Sequence, residues 1–452
     1  METVTVRIGE WQSLAPEVGS PTRGIFLPQD PATSRLVETL GRDGALGFQE
    51  LRSGLSIQSY SFVGSLTIGG IRVVVVPKLR GMQLMRLLRY AYGLRELKLF
   101  DPSPSALETD SFQDLLIHQL LAETDEIISR GLHRRYVRVS ARLTSPRGRI
   151  DLAALARDGF VSSSLSCNFH PRDEDCLLNR VLLFGLRQAA RMAADRELRH
   201  RARRTAKILE QDVSDVHVDW ATLARLRREM NRLTTAYEPA LAILEILLGS
   251  IGTSLNPSSR DTEVPGFLFD MNRFFQTLLG RFLTQYLVDH QVSEQTSIHG
   301  LFEYCAKQNP KRRRPPTPRP DYCVRAPDGR VLLLDAKYRD LWEQELPREM
   351  LYQLALYALS QKPVGRSTIL YPTLAENAVD AVIHVSEPFS GSPKAEVVLR
   401  PVDLTRLSEL LGMPPGIATQ RSRCSFAENL IAVPDVPTSR PAPGGLAVPP
   451  AA

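Results

Sequence analysis

The stretch RPDYCVRAPDGRVLLLDAKY, residues 319–338, reads as two short strands around a tight turn. Asp321 to Val324 forms the first strand, and Arg330 to Lys337 is a β-branched and Leu-rich run that ends in charge. Pro327 suits the second position of a type I turn, and Gly329 the left-handed residue that closes a three-residue loop with a bulge. With Pro327, Asp328 and Gly329 as the loop, Ala326 stands opposite Arg330, and the same register sets Asp321 opposite Asp335. Side chains alternate along a strand, so Asp321, Asp335 and Lys337 share one face. A two-residue loop at Asp328-Gly329 would put Asp321 on the other face, so the geometry depends on the bulge. Two carboxylates and a lysine then converge at the end of a buried strand, where packing alone calls for none of them.

Working outward, Lys307 to Arg319 (KQNPKRRRPPTPR) is a basic, Pro-rich loop leading into Asp321. Lys311, Arg312, Arg313, Arg314 and Arg319 are candidates to neutralise phosphates beside the carboxylates; the alternative is a solvated charge run. Downstream, Pro347 to Leu359 is a helix beginning at proline, with Gln353 and Tyr357 four apart on one face. Arg366 to Pro372, Ala381 to Val385 and Ala395 to Pro401 supply further strands. Upstream, Phe267 to Val288 reads as a strongly apolar helix, preceded by a turn-rich linker from Ser250 to Gly266 that includes Asn256-Pro257-Ser258-Ser259.

The front of the chain is mostly β. Thr3 to Ile8 alternates, and Leu55 to Lys78 holds two strands joined at Gly69-Gly70, while Pro31 to Leu40 fits a short helix capped by Asp30. Met82 to Tyr92 and Asp110 to Ile128 have helical periodicity, the second capped by Asp110. Tyr136 to Leu155 alternates and then bends at Ser145-Pro146-Arg147-Gly148-Arg149, as a β-arm with a basic tip would. Either a solvated hairpin or a partner or phosphate contact fits it. From Glu174 to Ile251 the pattern is almost all helical, with an arginine-rich face from Arg191 to Arg204 that suits solvent or nucleic acid.

The expected fold class is therefore multidomain α+β. A β-rich N-terminal domain spans 1–80, and a mostly helical region spans 81–252 with the β-arm at 136–155. A C-terminal α/β domain spans 260–412, and a Pro-rich, disordered tail covers 413–452. At 452 residues, with 43% apolar and 23% charged content, the chain can bury real cores. A net charge of +6 permits contact with a polyanion without requiring it. The five cysteines lack CxxC spacing and read as ordinary thiols of a reducing compartment; Cys167, His170 and Cys176 lie close together, but no second pair follows at zinc-site spacing, which favours ordinary buried or loop thiols over a metal site. With no export signal and no apolar run near ~18 residues, a cytoplasmic protein without membrane spans is expected.

Two carboxylates at one point bind a hard divalent cation, most naturally magnesium or manganese. Asp321 and Asp335 would hold it, with the Ala336 carbonyl as third ligand, and Lys337 would orient or deprotonate a water and offset charge on phosphorus. The implied reaction is phosphodiester hydrolysis in DNA.

The order helix, Pro-Asp strand, Asp-x-Lys strand, helix resembles the PD-(D/E)xK nuclease superfamily, whose restriction-endonuclease-like fold is the expectation for 260–412. The Gln353 and Tyr357 pair is similar to the Gln-x-x-x-Tyr element of its RecB-like members, which lines the site beside the substrate backbone. More closely, the chain resembles the McrC family, nuclease subunits of McrBC-type restriction systems. The stretches that carry the likeness are VGSLTIGGIRVVVVPKL, PRGRIDL, DEDCLLNRVLL, FLFDMNRFFQ, RPDY, LLLDAKY, QLALY and ILYP, in the family's order. The resemblance implies an antiviral endonuclease that joins a hexameric McrB-like AAA+ GTPase, stimulates its GTP hydrolysis and cuts double-stranded DNA. Target recognition, commonly of methylated cytosine, belongs to the partner; this chain itself shows no GxxxxGK[ST] loop. The N-terminal half around Arg147 and Arg149 is the candidate docking part. One departure stands out: where nuclease members carry Glu in a Phe-Glu pair, this chain has Phe275-Gln276. Gln276 can bind a metal-held water but brings no charge. Two other readings compete: a stand-alone RecB-like repair nuclease, and a non-catalytic activator of an AAA+ partner.

Overall fold

The computed structural model describes residues 4–79, 81–94, 112–157, 163–250, 266–361 and 365–433. Residues 251–265 of the proposed Ser250–Gly266 linker, the Asp110 cap and the end of the chain from 434 lie outside the described residues. Two compact units divide the chain, Met1–Leu278 and Leu279–Ala452.

The first unit opens with β1 (Val4–Gly9), β2 (Ser13–Leu14), α1 (Pro31–Arg42), β3 (Leu46–Leu51), β4 (Gly54–Ser59), β5 (Phe62–Ile68) and β6 (Ile71–Val76). The Asp30 side chain caps α1 by accepting from the Ala32 and Thr33 amides, as expected for Asp before Pro at the first helical position. β5 and β6 turn at Gly69-Gly70, but the run from Leu55 holds an additional strand, β4, which pairs with β2 and β3 in its own sheet.

Next come α2 (Gly81–Tyr92), α3 (Phe112–Arg130), β7 (Arg135–Tyr136), β8 (Val139–Leu143), β9 (Arg149–Ile150), α4 (Leu152–Arg157), β10 (Leu165–Phe169) and β11 (Arg172–Asp173). The expected β-arm at 136–155 is not a two-stranded hairpin. β8 and β9 both pair with β10, which lies between them, and the chain beyond Asp151 turns into α4. Alternation in the sequence located the strands; the central partner comes from further along the chain.

The helices α5 (Leu177–Met192), α6 (Arg196–Leu209), α7 (Trp220–Glu229) and α8 (Glu238–Leu248) match the helical expectation. α8 is apolar all round and buried from Pro239 to Leu244, as a helix inside a core must be. The DEDCLLNR segment is architectural. Buried Asn179 donates to the carbonyls of His133 and Glu174 at 2.9 and 2.7 Å and accepts from the Tyr237 hydroxyl at 2.7 Å. The Arg180 guanidinium grips Asp175 with two bonds of 2.6 Å. On the arginine-rich face, Arg199 donates to the Ala193 carbonyl and Arg201 to Asp125, so part of that charge is used within the protein.

The expected helix at Phe267–Val288 is in fact a strand, β12 (Gly266–Asp270), and then α9 (Met271–Tyr286). β12 joins the N-terminal sheet in the order β1-β6-β5-β12, and Leu268 enters that core with Val6, Leu55, Leu66 and Val73. The domain that the sequence bounded at residue 80 is thus closed by a strand nearly two hundred residues later. Gly64 makes this possible: a Cβ there would stand 2.1 Å from the Phe267 carbonyl oxygen. Asp270 ends the strand and caps α9 through the Asn272 and Arg273 amides. An apolar run carries strand and helix equally well, which is why periodicity merged them.

The second unit, entered within α9, holds β13 (Gln291–Glu294), β14 (Tyr322–Arg325), β15 (Val331–Ala336), α10 (Arg348–Leu359), β16 (Gly365–Thr373), β17 (Ala381–Ser386), β18 (Pro393–Asp403), α11 (Leu404–Gly412) and α12 (Ile417–Ile431). Its six strands form one mixed sheet in the order β13-β14-β15-β16-β18-β17, with β15, β16 and β18 parallel. α10 covers one face, where Leu354 and Tyr357 pack on Leu333, Ile369 and Val397. The tail expected from 413 does not begin there: α12 follows, and Phe426 meets the Phe282 ring edge-on at 5.8 Å while Ala427 and Leu430 are buried. The molecule is thus mixed α and β with several sheets.

Candidate active site

The hairpin has the register that its turn residues dictate. Tyr322 pairs with Leu334 and Arg325 with Val331. The Ala326 amide donates to the Arg330 carbonyl at 2.8 Å, and the Gly329 amide to the Ala326 carbonyl at 2.9 Å. Gly329 has φ +83°, the left-handed residue of the bulge. Asp321 therefore faces Asp335 across the ladder, both on the face that carries Leu333.

At the ends of these strands three charged groups meet. Lys337 Nζ lies 2.9 Å from Asp335 Oδ2 and 3.7 Å from Asp321 Oδ2. The two carboxylates are almost wholly buried, at 3% and 8% side-chain exposure, while the lysine retains 24%. The Ala336 amide donates to Asp321 Oδ2 at 2.9 Å, so the strand that carries Asp335 also orients Asp321.

The electrostatics follow from burial. Asp335 is pushed up to about 6, first by burial and then by the Asp321 charge, with Lys337 pulling the other way. Burial would lower Lys337, but Asp335 and then Asp321 outweigh it and hold the ammonium above its usual value. Two carboxylates thus share one cation.

Gln353 and Tyr357 meet as the four-residue spacing implies, with the Gln353 amide donating to the Tyr357 hydroxyl at 2.7 Å. Tyr357 is buried against the core, and burial, then the Asp335 charge, raise its hydroxyl, which Gln353 lowers. On the opposite sheet face, Gly280 of α9 sits where a Cβ would stand 3.2 Å from the Tyr322 ring. Gln276 lies one turn earlier on α9, within the first unit.

Lys311, Arg312, Arg313 and Arg314 are all exposed, on a loop folded by Asn309, whose side chain bonds the Arg313 backbone in both directions. Arg319 is exposed but engaged, its Nε donating to the Gln295 carbonyl at 2.6 Å. In the first unit, the Arg147 guanidinium lies 5.6 Å from the Phe169 ring centroid, and Arg149 is exposed on the edge strand β9. Sequence reading missed Gln295, whose side-chain amide donates to Asp321 Oδ1 at 2.9 Å. Its only signal was a polar residue at the end of a short strand, β13, that periodicity did not resolve.

The family model for the McrBC 5-methylcytosine restriction system component matches residues 57–372. The chain belongs to this family. A chain of the assembly of Thermococcus gammatolerans McrB AAA+ hexamers with bound McrC is similar over 95% of this chain and 100% of its own, at 19% identity and TM-score 0.62, a likeness of fold. A chain of the Thermococcus gammatolerans McrBC complex is similar over 63% of this chain and 88% of its own, at 19% identity and TM-score 0.44. No curated protein matches. Among the described residues no helix is long and apolar enough to cross a membrane.

Proposed function

We propose that the chain is the DNA endonuclease subunit of a McrBC-type restriction system, hydrolysing phosphodiester bonds with magnesium or manganese. Its partner is a McrB-like AAA+ GTPase hexamer, whose GTP hydrolysis it stimulates. The observation that carries the reading is the convergence of Asp321, Asp335 and Lys337 on one sheet face. The order of α9, β14, β15 and α10 supports a PD-(D/E)xK core around them.

The donor set fits a hard divalent ion. Two carboxylates outnumber the one ammonium between them, and burial disfavours the ionised Asp335 until a second cation arrives. Among the described residues no three His, Cys, Asp or Glu side chains gather as a ligand set. Asp321, Asp335 and the Ala336 carbonyl would therefore hold the ion, with waters completing its shell. When bound, it supplies Lewis acidity to a phosphate oxygen and lowers the pKa of a water. Lys337 orients that water and donates to the phosphate oxygens as charge develops. Gln353 and Tyr357 bind the substrate backbone beside it, and Lys311, Arg312, Arg313, Arg314 and Arg319 bind neighbouring phosphates. The β8–β9 connection with Arg147 and the edge strand β9 with Arg149 dock the partner. Gln276 is proposed on the resemblance alone, as a neutral replacement for a third carboxylate.

The test incubates the full chain with methylated and unmethylated plasmid, magnesium and GTP, with and without the GTPase of the same system. Cleavage that needs the partner and vanishes in Asp335→Ala and Lys337→Ala, while GTPase stimulation survives, supports the proposal. Cleavage without any GTPase points to a stand-alone repair nuclease. Stimulation with no cleavage in either metal points to a pure activator, and variants that cut like the wild type overturn the site.

A further inference from the structure

We infer that Gln295 is a positioning residue for the proposed metal carboxylate Asp321, and that Arg319 acts through Gln295 rather than only on phosphate. This rests on the metal-site reading above. The β13–β14 ladder pairs Glu294 with Tyr322, so the next pair is Gln295 with Asp321. The Gln295 amide N–H donates to the Asp321 carbonyl at 2.9 Å. Gln295, Asp321 and Asp335 therefore stand side by side on three neighbouring strands.

The side chains repeat the connection. Gln295 Nε2 donates to Asp321 Oδ1 at 2.9 Å, while the Ala336 amide donates to Oδ2 at 2.9 Å. With a donor aimed at each oxygen the plane of the carboxylate is fixed. The donor from Gln295 is neutral, so it orients Asp321 without cancelling the charge that a cation needs. An arginine there would compete with the ion.

The backbone is committed to this arrangement. Gln295 has φ +50°, a conformation that residues with a Cβ seldom adopt and that recurs where function over-determines the chain. Two contacts hold it there: Arg319 Nε donates to the Gln295 carbonyl at 2.6 Å, and the Ile298 amide to the Pro318 carbonyl at 2.9 Å. The chain thus leaves the extended conformation at the residue whose side chain reaches the carboxylate.

Manganese binding to the full chain, measured by calorimetry without DNA, tests the inference and removes phosphate contact from the readout. Gln295→Ala is expected to weaken manganese about tenfold, the usual cost of removing a residue that orients a ligand. Gln295→Gly suits the positive φ and also lacks the amide, so it should fold readily and show the same loss. Arg319→Ala should weaken the metal in the same direction, and excess manganese should restore cleavage in both Gln295 variants. If Asp321→Ala loses manganese while both Gln295 variants bind it like the wild type, this inference is overturned and the metal site stands. If Asp321→Ala itself binds like the wild type, the metal-site reading falls first.

Discussion

Two clusters of charge in this chain are built from similar parts and balanced in opposite ways. In the first unit, Asp175 accepts two bonds from the Arg180 guanidinium and two more from Ser214, through its amide and its hydroxyl. One carboxylate meets one cation, and the Arg180 bond above all holds Asp175 well below the usual carboxylate range. In the second unit, Asp321 and Asp335 meet a single lysine, and burial pushes Asp335 upward. The first cluster is electrically complete and ties the start of α5 to the segment at Ser214. The second has a surplus of buried negative charge, which stability alone does not explain. Perturbation by burial and a like charge, without a matching cation, marks the site of chemistry.

The largest effect separates the two clusters by activity. Lys337→Ala should lower cleavage by about a hundred- to a thousandfold, the scale for losing a preorganised donor to developing charge. Asp175→Asn should leave cleavage rates intact wherever the protein remains folded. Plasmid cleavage with the partner GTPase measures both. Equal losses in the two variants would erase the distinction.

Stability should then rank them the other way. Asp175→Asn removes the charge and one of the two acceptor oxygens of a two-pronged guanidinium pair that is about three-quarters buried on each side, and should cost about 1–2 kcal/mol. Asp335→Asn relieves crowding of two carboxylates around one ammonium, and should leave the metal-free chain as stable as the wild type or slightly more so. Denaturant midpoints in the presence of chelator give both values. A strongly destabilised Asp335→Asn would mean that the second cluster is architectural as well.

How much of this contrast was legible before the fold was known differs between the two clusters. Pro327 and Gly329 have few conformational options, so the turn, the register and the meeting of Asp321, Asp335 and Lys337 followed from local chemistry. The i,i+4 spacing likewise delivered the Gln353–Tyr357 contact. What escaped was long-range. β12 reads as helix until Gly64 offers it a slot, β10 comes from beyond the arm that it centres, and Gln295 finds Asp321 only because β13 pairs with β14. DEDCLLNR carried a family likeness without showing that Asn179 and Arg180 are braces. Local dihedral preferences are written residue by residue; partners distant in sequence are not.

A smaller effect sharpens the electrostatic side. The folded pKa of Asp175 is depressed, so its stabilising contribution is fully present above the usual value of 3.8 and is lost as pH falls below it toward the folded pKa. The wild type should lose stability steeply in that acid range, and Asp175→Asn should show a shallower acid limb while matching its own neutral stability more closely. Denaturation curves below pH 4 compare the two slopes. Parallel slopes would mean that the Arg180 pair contributes no linkage.

A last contrast concerns a second matched pair, each joining a tyrosine hydroxyl to a side-chain amide at 2.7 Å. In the first unit Tyr237 donates to Asn179 Oδ1, and both groups are buried, so Tyr237→Phe leaves an acceptor without its partner in the interior. That should cost about 1–3 kcal/mol and leave metal affinity untouched. In the second unit Tyr357 is buried but Gln353 is exposed. In Tyr357→Phe the ring still fills its place against Leu333 and Ile369, and the Gln353 amide turns to water, so the fold should lose no more than about 1 kcal/mol. Its cost should appear in cleavage instead, because the hydroxyl lies within the field of Asp335 and Lys337. A Tyr357→Phe that cuts normally but unfolds as readily as Tyr237→Phe would move this pair from the site to the scaffold. The tyrosine–amide bond has one length in both places; the water available to the amide decides what it is for.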